Sequence, residues 1–393
     1  PWQLDDTSQL RLDKLVEEGF DETSDEYNDL SRELLTTMWS NKAVTESYIP
    51  GSTFKIISSS IALEEKLFKT DDRVSCFGYK VLFGTRVRCH KVEGHGSLTF
   101  EQGLQQSCNV WFMTIGEKIG IPTFKKYVNS FGYNEKTGID LPGEGMGIFN
   151  ANMGEMDLAI YAFGQNFNVT PLQQITAVAS VANGGNLVTP YIVEKITDPK
   201  SGNVIYKHET EIKRQTVSAA TCAEISRILE EGVSGNGGAK NAYVAGYKIA
   251  AKTGTSQVRD IRDENGNSYL YVGSCVAYAP SDNPQIAVII VVDQPKSYIY
   301  YGSAVAAPYV GSFLSGALPY LGVEAESKSE ESALVEDYVG ISVTEAKKMA
   351  QKTGFSVEII GNGDIVCEQT PDAGAIIDPS SAGIILYVAS TSD

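Results

Sequence analysis

A serine and a lysine three residues apart, Ser52 and Lys55, carry the chemistry that this sequence most directly suggests. Pro50 and Gly51 predict a turn, and the apolar spacing over 54–61 predicts a helix that begins at the serine. A spacing of three puts both side chains on one helical face. A partly desolvated lysine can accept the hydroxyl proton of a serine, and N–H groups at a helix N-terminus can stabilise an oxyanion. An isolated pair of this kind is more often a helix cap beside a surface lysine, so the rest of the chain decides.

Two further polar motifs follow the serine in an order that suits acyl transfer. Ser107 and Asn109 lie in a stretch of helical periodicity, either within the helix or at a break in it. Lys252, Thr253 and Gly254 follow an alternating segment that predicts a strand at a sheet edge, where a peptide could add as a further strand. The glycine would permit close approach of another backbone.

The string Lys-Thr-Gly occurs three times, and only its context makes one copy informative. The copies at 136–138 and 352–354 fall in a turn-rich connector and at the end of a predicted helix, where glycine is an ordinary cap. Only the order Ser52, Ser107, Lys252 uses a helix, a second helix and a strand in succession. These three motifs therefore predict one active site assembled from distant parts of the chain.

Half of the cysteines and one histidine lie close together in the sequence, up to and within the second motif. They are Cys76, Cys89, His95 and Cys108. Three thiolates and one imidazole can form a closed tetrahedral zinc site, which would hold the long irregular excursion predicted over 66–97. The spacing is not that of a compact zinc finger, so a Cys76–Cys89 disulfide or reduced buried thiols remain alternatives. Asp72 and His90 could take the place of Cys76, the least certain ligand.

Bulk properties exclude more functions than they identify. The chain has 393 residues and a net charge of −17, which argues against nucleic acid or an anionic membrane surface as a partner. No apolar run approaches the ~18 residues of a transmembrane helix. The chain begins at Pro1 without a signal-like segment, so we expect a fragment of a longer protein.

Composition divides the chain into predicted units. Residues 1–323 form the main domain, with 1–30 as an acidic connecting segment; 324–335 form a charged linker, and 336–393 form a small βαββ module. Segments with helical periodicity occur together with segments whose apolar and polar residues alternate as in antiparallel strands, which predicts an α+β fold. The run 286–292 is apolar throughout and predicts a fully buried strand. In the module, a very short opening strand at 337–339 and a helix over 342–352 are predicted.

In these motifs the chain resembles the class B penicillin-binding proteins, the D,D-transpeptidases of peptidoglycan synthesis. The matching segments are 50–55, 107–109, 138–144, 164–165, 170–173, 252–255 and 305–308. The resemblance covers residues from about 30 to 320 and implies a central antiparallel sheet flanked by helices, together with an all-helical part. The C-terminal module resembles a single PASTA domain. One such domain is typical of the sporulation-specific members, which act in spore cortex synthesis; division transpeptidases are the alternative.

The resemblance also implies roles in forming the acyl-enzyme. Ser52 would attack the penultimate D-Ala carbonyl of a stem peptide, and Lys55 would accept its proton. Ser107 would pass a proton to the leaving D-Ala, with Asn109 binding the substrate amide.

The strand residues Lys252, Thr253 and Thr255 would bind the terminal carboxylate. The backbone N–H groups of Ser52 and Thr255 would form the oxyanion hole, and β-lactams would acylate the same serine.

Partners and location follow from the same resemblance. We expect peptidoglycan stem peptides and β-lactams as ligands, a SEDS-type membrane glycosyltransferase as a partner, structural Zn2+ and no organic cofactor. The protein would be extracytoplasmic and held to the membrane by an anchor missing from this chain, at the forespore outer membrane for the sporulation type. A D,D-carboxypeptidase, a β-lactam sensor and a wall-binding protein without cross-linking activity are the alternative functions.

Overall fold

The computed structural model describes residues 6–150, 152–235, 237–258, 270–296, 299–326, 333–371, 373–377, 379 and 383–389. The helices are α1 Asp6–Glu17, α2 Asp25–Trp39, α3 Lys42–Thr45, α4 Lys55–Glu64, α5 Phe100–Gln105, α6 Asn109–Ile119, α7 Ile121–Ser130, α8 Glu155–Tyr161, α9 Pro171–Ala182, α10 Ala219–Ser234, α11 Gly302–Val305, α12 Ala307–Tyr320 and α13 Val343–Lys352. Short 3₁₀ turns lie at Gly51–Phe54 and Lys240–Ala242. None of the described helices is both long and apolar enough to cross a membrane.

The strands that accompany these helices are short and mostly antiparallel, in agreement with the predicted α+β class. They are β1 Arg73–Cys76, β2 Tyr79–Leu82, β3 Thr85–Arg88, β4 Gly96–Thr99, β5 Asn186–Val188, β6 Lys195–Thr197, β7 Val204–Lys207, β8 Ile212–Gln215, β9 Ala250–Gln257, β10 Tyr271–Ala279, β11 Ile286–Asp293, β12 Ala333–Leu334, β13 Val357–Ile360, β14 Ile365–Thr370, β15 Ile376–Ile377 and β16 Ile384–Ala389. The longest of them, β9, β10 and β11, pair antiparallel in the order β11–β10–β9. The Lys-Thr-Gly strand β9 therefore lies at an edge of the described sheet.

Helix α4 lies at the centre of the largest core. Its side chains at 56, 57, 61 and 62 are all fully buried, together with the three serines between them. A helix that is buried all round must be covered by other elements, and α6, α9 and α10 supply that cover. Lys55 is thus fixed by packing on every side, and Ser52, just before α4, is half-buried.

The helix predicted to begin at the serine begins three residues later. Ser52 lies in the 3₁₀ turn Gly51–Phe54, and α4 starts at Lys55. Side chains three residues apart eclipse one another in a 3₁₀ turn, so the prediction that both face the same side survives the change.

Two predictions about strands of the main domain were wrong. The excursion over 66–97 is not irregular, because β1 pairs with β4 and β2 pairs with β3 within it. Each of these strands has only four residues, too few for a periodic apolar signal. The run 286–292, predicted to be fully buried, is half-buried, because β11 is the other edge of the described sheet.

The C-terminal module has its own small sheet and core. Strand β16 lies between β13 and β14, parallel to the first and antiparallel to the second, and α13 packs against them. The short opening strand predicted at 337–339 is wrong: the opening strand is β12, paired with β15, and Tyr338 lies in the core of the module. The reason is that the Tyr338 side chain is buried in this core, and its backbone N–H donates to the Gln369 side chain rather than to a neighbouring strand.

The predicted domain boundaries stay predictions. Residues 327–332 of the predicted linker 324–335 lie outside the described residues, as do residues 1–5 of the acidic segment 1–30. The described remainder of that segment forms α1 and the start of α2.

Candidate active site

Lys55 is fully buried, and its side chain joins the first motif to the second. Its Nζ lies 2.6 Å from the Ser107 carbonyl oxygen, 3.0 Å from Ser107 Oγ and 2.8 Å from Asn109 Oδ1. The ring of Phe112 lies on a further side, with its centroid 5.1 Å from Nζ. The lysine therefore has three oxygen acceptors and an aromatic face around a nitrogen removed from solvent.

This environment changes the proton affinity of the lysine. Burial lowers the pKa of Lys55 well below its ordinary value, and the positive charge of Lys252 lowers that pKa further. The thiols of Cys89 and Cys108 act in the opposite direction. A lysine with a lowered pKa has a larger neutral fraction near neutral pH, and the neutral amine can accept a proton.

The second motif lies at a break between helices rather than inside one. Ser107 has a φ of 56°, the left-handed region, and its N–H donates to the Leu104 carbonyl oxygen at 3.2 Å. Cys108 then caps α6, which begins at Asn109. A left-handed backbone at a non-glycine residue costs about 1–3 kcal/mol and must be held by its surroundings. The hydrogen bonds from Lys55 hold this turn.

The third motif packs against the serine turn through backbone atoms. A Cβ added at Gly254 would lie 2.7 Å from the Pro50 carbonyl oxygen, and one added at Gly51 would lie 2.8 Å from the Thr255 carbonyl oxygen. Only glycine permits two backbones to approach this closely. The serine turn and β9 are therefore in direct contact, as the sequence predicted for the active site.

Polar side chains of β9 are held by hydrogen bonds. Lys252 is 2% exposed, and its Nζ donates to the Thr253 carbonyl oxygen at 3.1 Å. Thr253 Oγ1 donates to the Gly238 carbonyl oxygen at 3.2 Å. Thr255 Oγ1 accepts the Gly302 N–H at 3.0 Å. The two threonine hydroxyls are thus positioned from outside their own strand, whereas the lysine bonds to a carbonyl group of β9 itself.

A third segment, residues 164–165, packs against the serine turn. Gly164 has a φ of 89°, and its carbonyl oxygen accepts the Gly51 N–H at 2.9 Å. A Cβ at Gly164 would overlap the Gly51 carbonyl group. Gln165 Nε2 donates to the Thr255 carbonyl oxygen at 3.3 Å, so the pair 164–165 bridges the turn and β9.

Sequence reasoning gave no structural role to 164–165, and it missed Gly302 entirely. The pair 164–165 was matched only as part of the family resemblance. The contact between Gly302 and Thr255 joins residues 47 apart in sequence, so no local sequence pattern could predict it.

The predicted cysteine and histidine group comes together. Cys76, Cys89, His95 and Cys108 each offer one ligand atom, and these atoms all lie within 4.8 Å of one another. Pairing of β1 with β4 sets Cys76 opposite Gly96, beside His95. Cys89 Sγ lies 3.6 Å from His95 Nδ1. Cys108 is the N-cap residue of α6 and lies between Ser107 and Asn109, so the group shares a residue position with the second motif.

The donor set fits a closed zinc site. Three buried sulfurs and one imidazole are the soft ligands that Zn2+ takes in structural sites. Hydrogen bonding with Cys108, ahead of bonds to His90 and His95, holds the pKa of Cys89 well below its usual value, although burial opposes this. A thiolate is therefore favoured at the centre of the group. All the cysteines in the structure are free thiols.

The two substitute ligands lie outside this group. Asp72 Oδ2 accepts the Lys69 N–H at 2.8 Å. His90 Nδ1 is 3.8 Å from Cys89 Sγ, and the His90 ring packs edge-on against His95.

Family models match nearly the whole chain. The model for the penicillin binding protein transpeptidase domain matches residues 18–315. The chain belongs to the penicillin-binding protein transpeptidase family. The model for the PASTA domain matches residues 334–390, so the predicted fold class, including the small C-terminal module, is confirmed.

Individual relatives of this penicillin-binding protein include a sporulation protein and a peptidoglycan D,D-transpeptidase. It is 38% identical to Stage V sporulation protein D of Bacillus subtilis, over 87% of this chain and 54% of the relative. It is 26% identical to the peptidoglycan D,D-transpeptidase FtsI of Escherichia coli K12, over 73% of this chain and 46% of the relative. The chain thus spans about half the length of these relatives.

A solved structure has the same fold. The crystal structure of penicillin binding protein 3 from Mycobacterium tuberculosis, complexed with aztreonam, matches with a TM-score of 0.65 and 25% identity. The match covers 74% of this chain and 66% of that one.

The close contact at Gly164 gives a prediction about stability. Gly164→Ala places a Cβ in the Gly51 carbonyl group and should lower the free energy of unfolding by about 1–3 kcal/mol more than a left-handed alanine alone. Gly202→Ala is the matched control, because Gly202 has a φ of 72° with nothing within 4 Å of an added Cβ. Urea unfolding of both variants measures the difference. Equal losses would mean that 164–165 does not pack on the serine turn.

Proposed function

We propose that this chain is a peptidoglycan D,D-transpeptidase that forms an acyl-enzyme through Ser52 and is acylated there by β-lactams. The observation that carries the proposal is the buried Lys55, whose amine is hydrogen-bonded to both polar residues of the second motif. Lys55 follows Ser52 by three residues, one turn of the chain. Family membership and the relatives named as D,D-transpeptidases support the same activity.

The proton path follows from the acceptors around Lys55. A neutral amine can donate to the Ser107 carbonyl oxygen and to Asn109 Oδ1 while its lone pair accepts the Ser52 hydroxyl proton. The bond from Ser52 Oγ to the substrate carbonyl carbon then forms. The lysine returns that proton through Ser107 Oγ, 3.0 Å away, to the leaving D-Ala nitrogen as the carbon–nitrogen bond breaks. Asn109 would also bind the substrate amide.

Substrate recognition is assigned to β9. Lys252 supplies the positive charge for the terminal carboxylate, and the Thr255 hydroxyl supplies a donor. The Thr253 hydroxyl, which donates to the Gly238 carbonyl oxygen in the structure, would turn away from that acceptor to donate to the carboxylate. Gly254 lets the substrate and the serine turn lie close to the strand. The N–H groups of Ser52 and Thr255 would bind the oxyanion.

The biological setting is also a proposal. The identity of 38% to Stage V sporulation protein D supports a role in sporulation. We place the whole protein outside the cytoplasm and attached to a membrane, at the forespore outer membrane for this type. Its partner would be a SEDS-type membrane glycosyltransferase that supplies new glycan strands.

A structural zinc ion is the remaining part of the proposal. Cys76, Cys89, His95 and Cys108 would hold it, and it would neutralise neighbouring thiolates and tie β1 and β4 to the start of α6. Its contribution is to position the second motif, because Cys108 stands between Ser107 and Asn109.

The nucleophile is tested by intact mass after incubation with a penicillin. We expect one adduct on the wild type, none on Ser52→Ala, and an unchanged adduct on Ser60→Ala, whose side chain is bonded to the Ile56 carbonyl oxygen within α4. Loss of the adduct in both variants, or in neither, would contradict the assignment.

The same proteins distinguish the reaction types. With a D-Ala-D-Ala stem peptide and an acceptor amine, a transpeptidase gives a cross-linked product. Release of D-Ala without cross-linking would indicate a carboxypeptidase. An adduct without either product would indicate a sensor, and no adduct at all would favour a wall-binding protein.

Carboxylate recognition should depend on pH. Burial lowers the pKa of Lys252 to about 8, against the opposing effect of the Cys275 thiol, so the lysine is cationic below that pH and neutral above it. Acylation by a penicillin, relative to its methyl ester, should therefore fall roughly fivefold between about pH 8 and pH 9. The titration of Lys55 changes the acylation rate of both compounds, so it cancels in the ratio of the two rates.

The control for this profile is Lys252→Arg, whose side chain stays cationic because arginine has a pKa above ~12. Its ratio of acid to ester acylation should not fall over that range. An identical pH profile for the two compounds on the wild type would contradict the role of Lys252.

The zinc site is tested on protein purified without chelator. We expect about one zinc per chain, lost in Cys89→Ser and retained in Cys222→Ser, since Cys222 is buried but outside the group. Chelation should slow acylation by penicillin and increase hydrogen exchange over 76–109. Metal-free protein that is acylated at the full rate, or that contains a Cys76–Cys89 disulfide, would contradict the proposal.

A further inference from the structure

The C-terminal module touches the rest of the chain beside the Lys-Thr-Gly strand. Ile360 of β13 and Ile385 of β16 are buried against Ala304 of α11, with Ile299 and Tyr387 at the margin. The three buried side chains are 6%, 2% and 6% exposed. Tyr387, also on β16, donates its hydroxyl to the Ala304 carbonyl oxygen at 3.1 Å. An apolar contact and one directed hydrogen bond therefore meet at the same residue.

Helix α11, which receives this contact, is built into the third motif. The N–H of its first residue, Gly302, donates to Thr255 Oγ1 at 3.0 Å. A Cβ at Gly302 would overlap the carbonyl oxygens of Gly254 and Ser274, so the helix lies directly on β9 and β10. Any shift of α11 must therefore move the hydrogen bond to Thr255.

The geometry leaves the Thr255 hydroxyl proton available. Because the oxygen already accepts the Gly302 N–H, the hydroxyl proton is directed away from α11 and can be donated to an anion. A four-residue helix has too few internal hydrogen bonds to hold its own position. Its position must come from packing against β9, β10 and α12 and from hydrogen bonds: Asn241 Nδ2 donates to the Ser303 carbonyl oxygen at 2.8 Å, and the Tyr387 hydroxyl adds a bond to Ala304 from the central strand of the module's sheet.

We propose that Tyr387 is a positioning residue for substrate recognition. Its hydroxyl holds the Ala304 carbonyl group, α11 holds the Thr255 hydroxyl, and that hydroxyl donates to the substrate carboxylate. This inference rests on the proposed function, in which Thr255 binds that carboxylate. The module is then a part of the recognition site and not only a separate wall-binding unit.

The test is Tyr387→Phe, which removes one hydroxyl and keeps the ring. Tyr338→Phe is the matched control, because Tyr338 is buried in the module's own core. Acylation by a penicillin should slow about threefold to tenfold in Tyr387→Phe, the size expected for one lost hydrogen bond. The loss should lie in the noncovalent binding constant, while acylation by the methyl ester and by the control variant stays at the wild-type level.

A second measurement does not depend on acylation. Amide hydrogen exchange over 299–306 should be faster in Tyr387→Phe than in the wild type or in Tyr338→Phe. Wild-type acylation and wild-type exchange in Tyr387→Phe would overturn the inference. Equal slowing for the acid and the ester would also overturn it, because it would indicate general destabilisation. A wild type that forms no adduct would refute the proposed function instead, and the exchange data would still decide whether Tyr387 positions α11.

Discussion

The rest of this structure depends on a lysine amine that is removed from water. A buried charge without partners is strongly unfavourable, and Lys55 avoids that state through three oxygen acceptors of the second motif. The acceptors come from Ser107 and Asn109, more than 50 residues away in sequence. The requirement to satisfy one amine thus holds α4 against the break between α5 and α6. Burial, with the positive charge of Lys252, gives the same amine the lowered pKa that proton transfer from serine needs.

Close backbone contacts complete the arrangement. The serine turn lies between β9 and the segment 164–165, and glycines on each side leave no room for side chains. Helix α11 also lies on β9, again with a glycine, Gly302, at the contact. Such contacts tolerate little displacement, because protein interiors are densely packed. The cysteine group adjoins the second motif through Cys108.

Local patterns predicted the parts of this site that are encoded locally. Ser52 and Lys55 are related by a single turn, and the break at Ser107 was one of two possibilities that the helical periodicity allowed. The four-residue strands of the excursion were missed because they are held by pairing with one another and show no apolar period. The exposure of β11 depends on which strands flank it, and periodicity cannot report that. The roles of Gly302 and Tyr387 lie in contacts across the fold, which no single segment of the chain specifies.

The most direct measurement is the rate of Ser52 acylation by a penicillin in Lys55→Met. Methionine fills a similar volume but can neither accept the serine proton nor return it. If Lys55 is the base, the rate should fall by about 10²–10⁴, the usual contribution of general-base catalysis, in a variant whose unfolding transition shows that it is folded. Acylation of folded Lys55→Met at the wild-type rate would contradict the central role of the buried lysine.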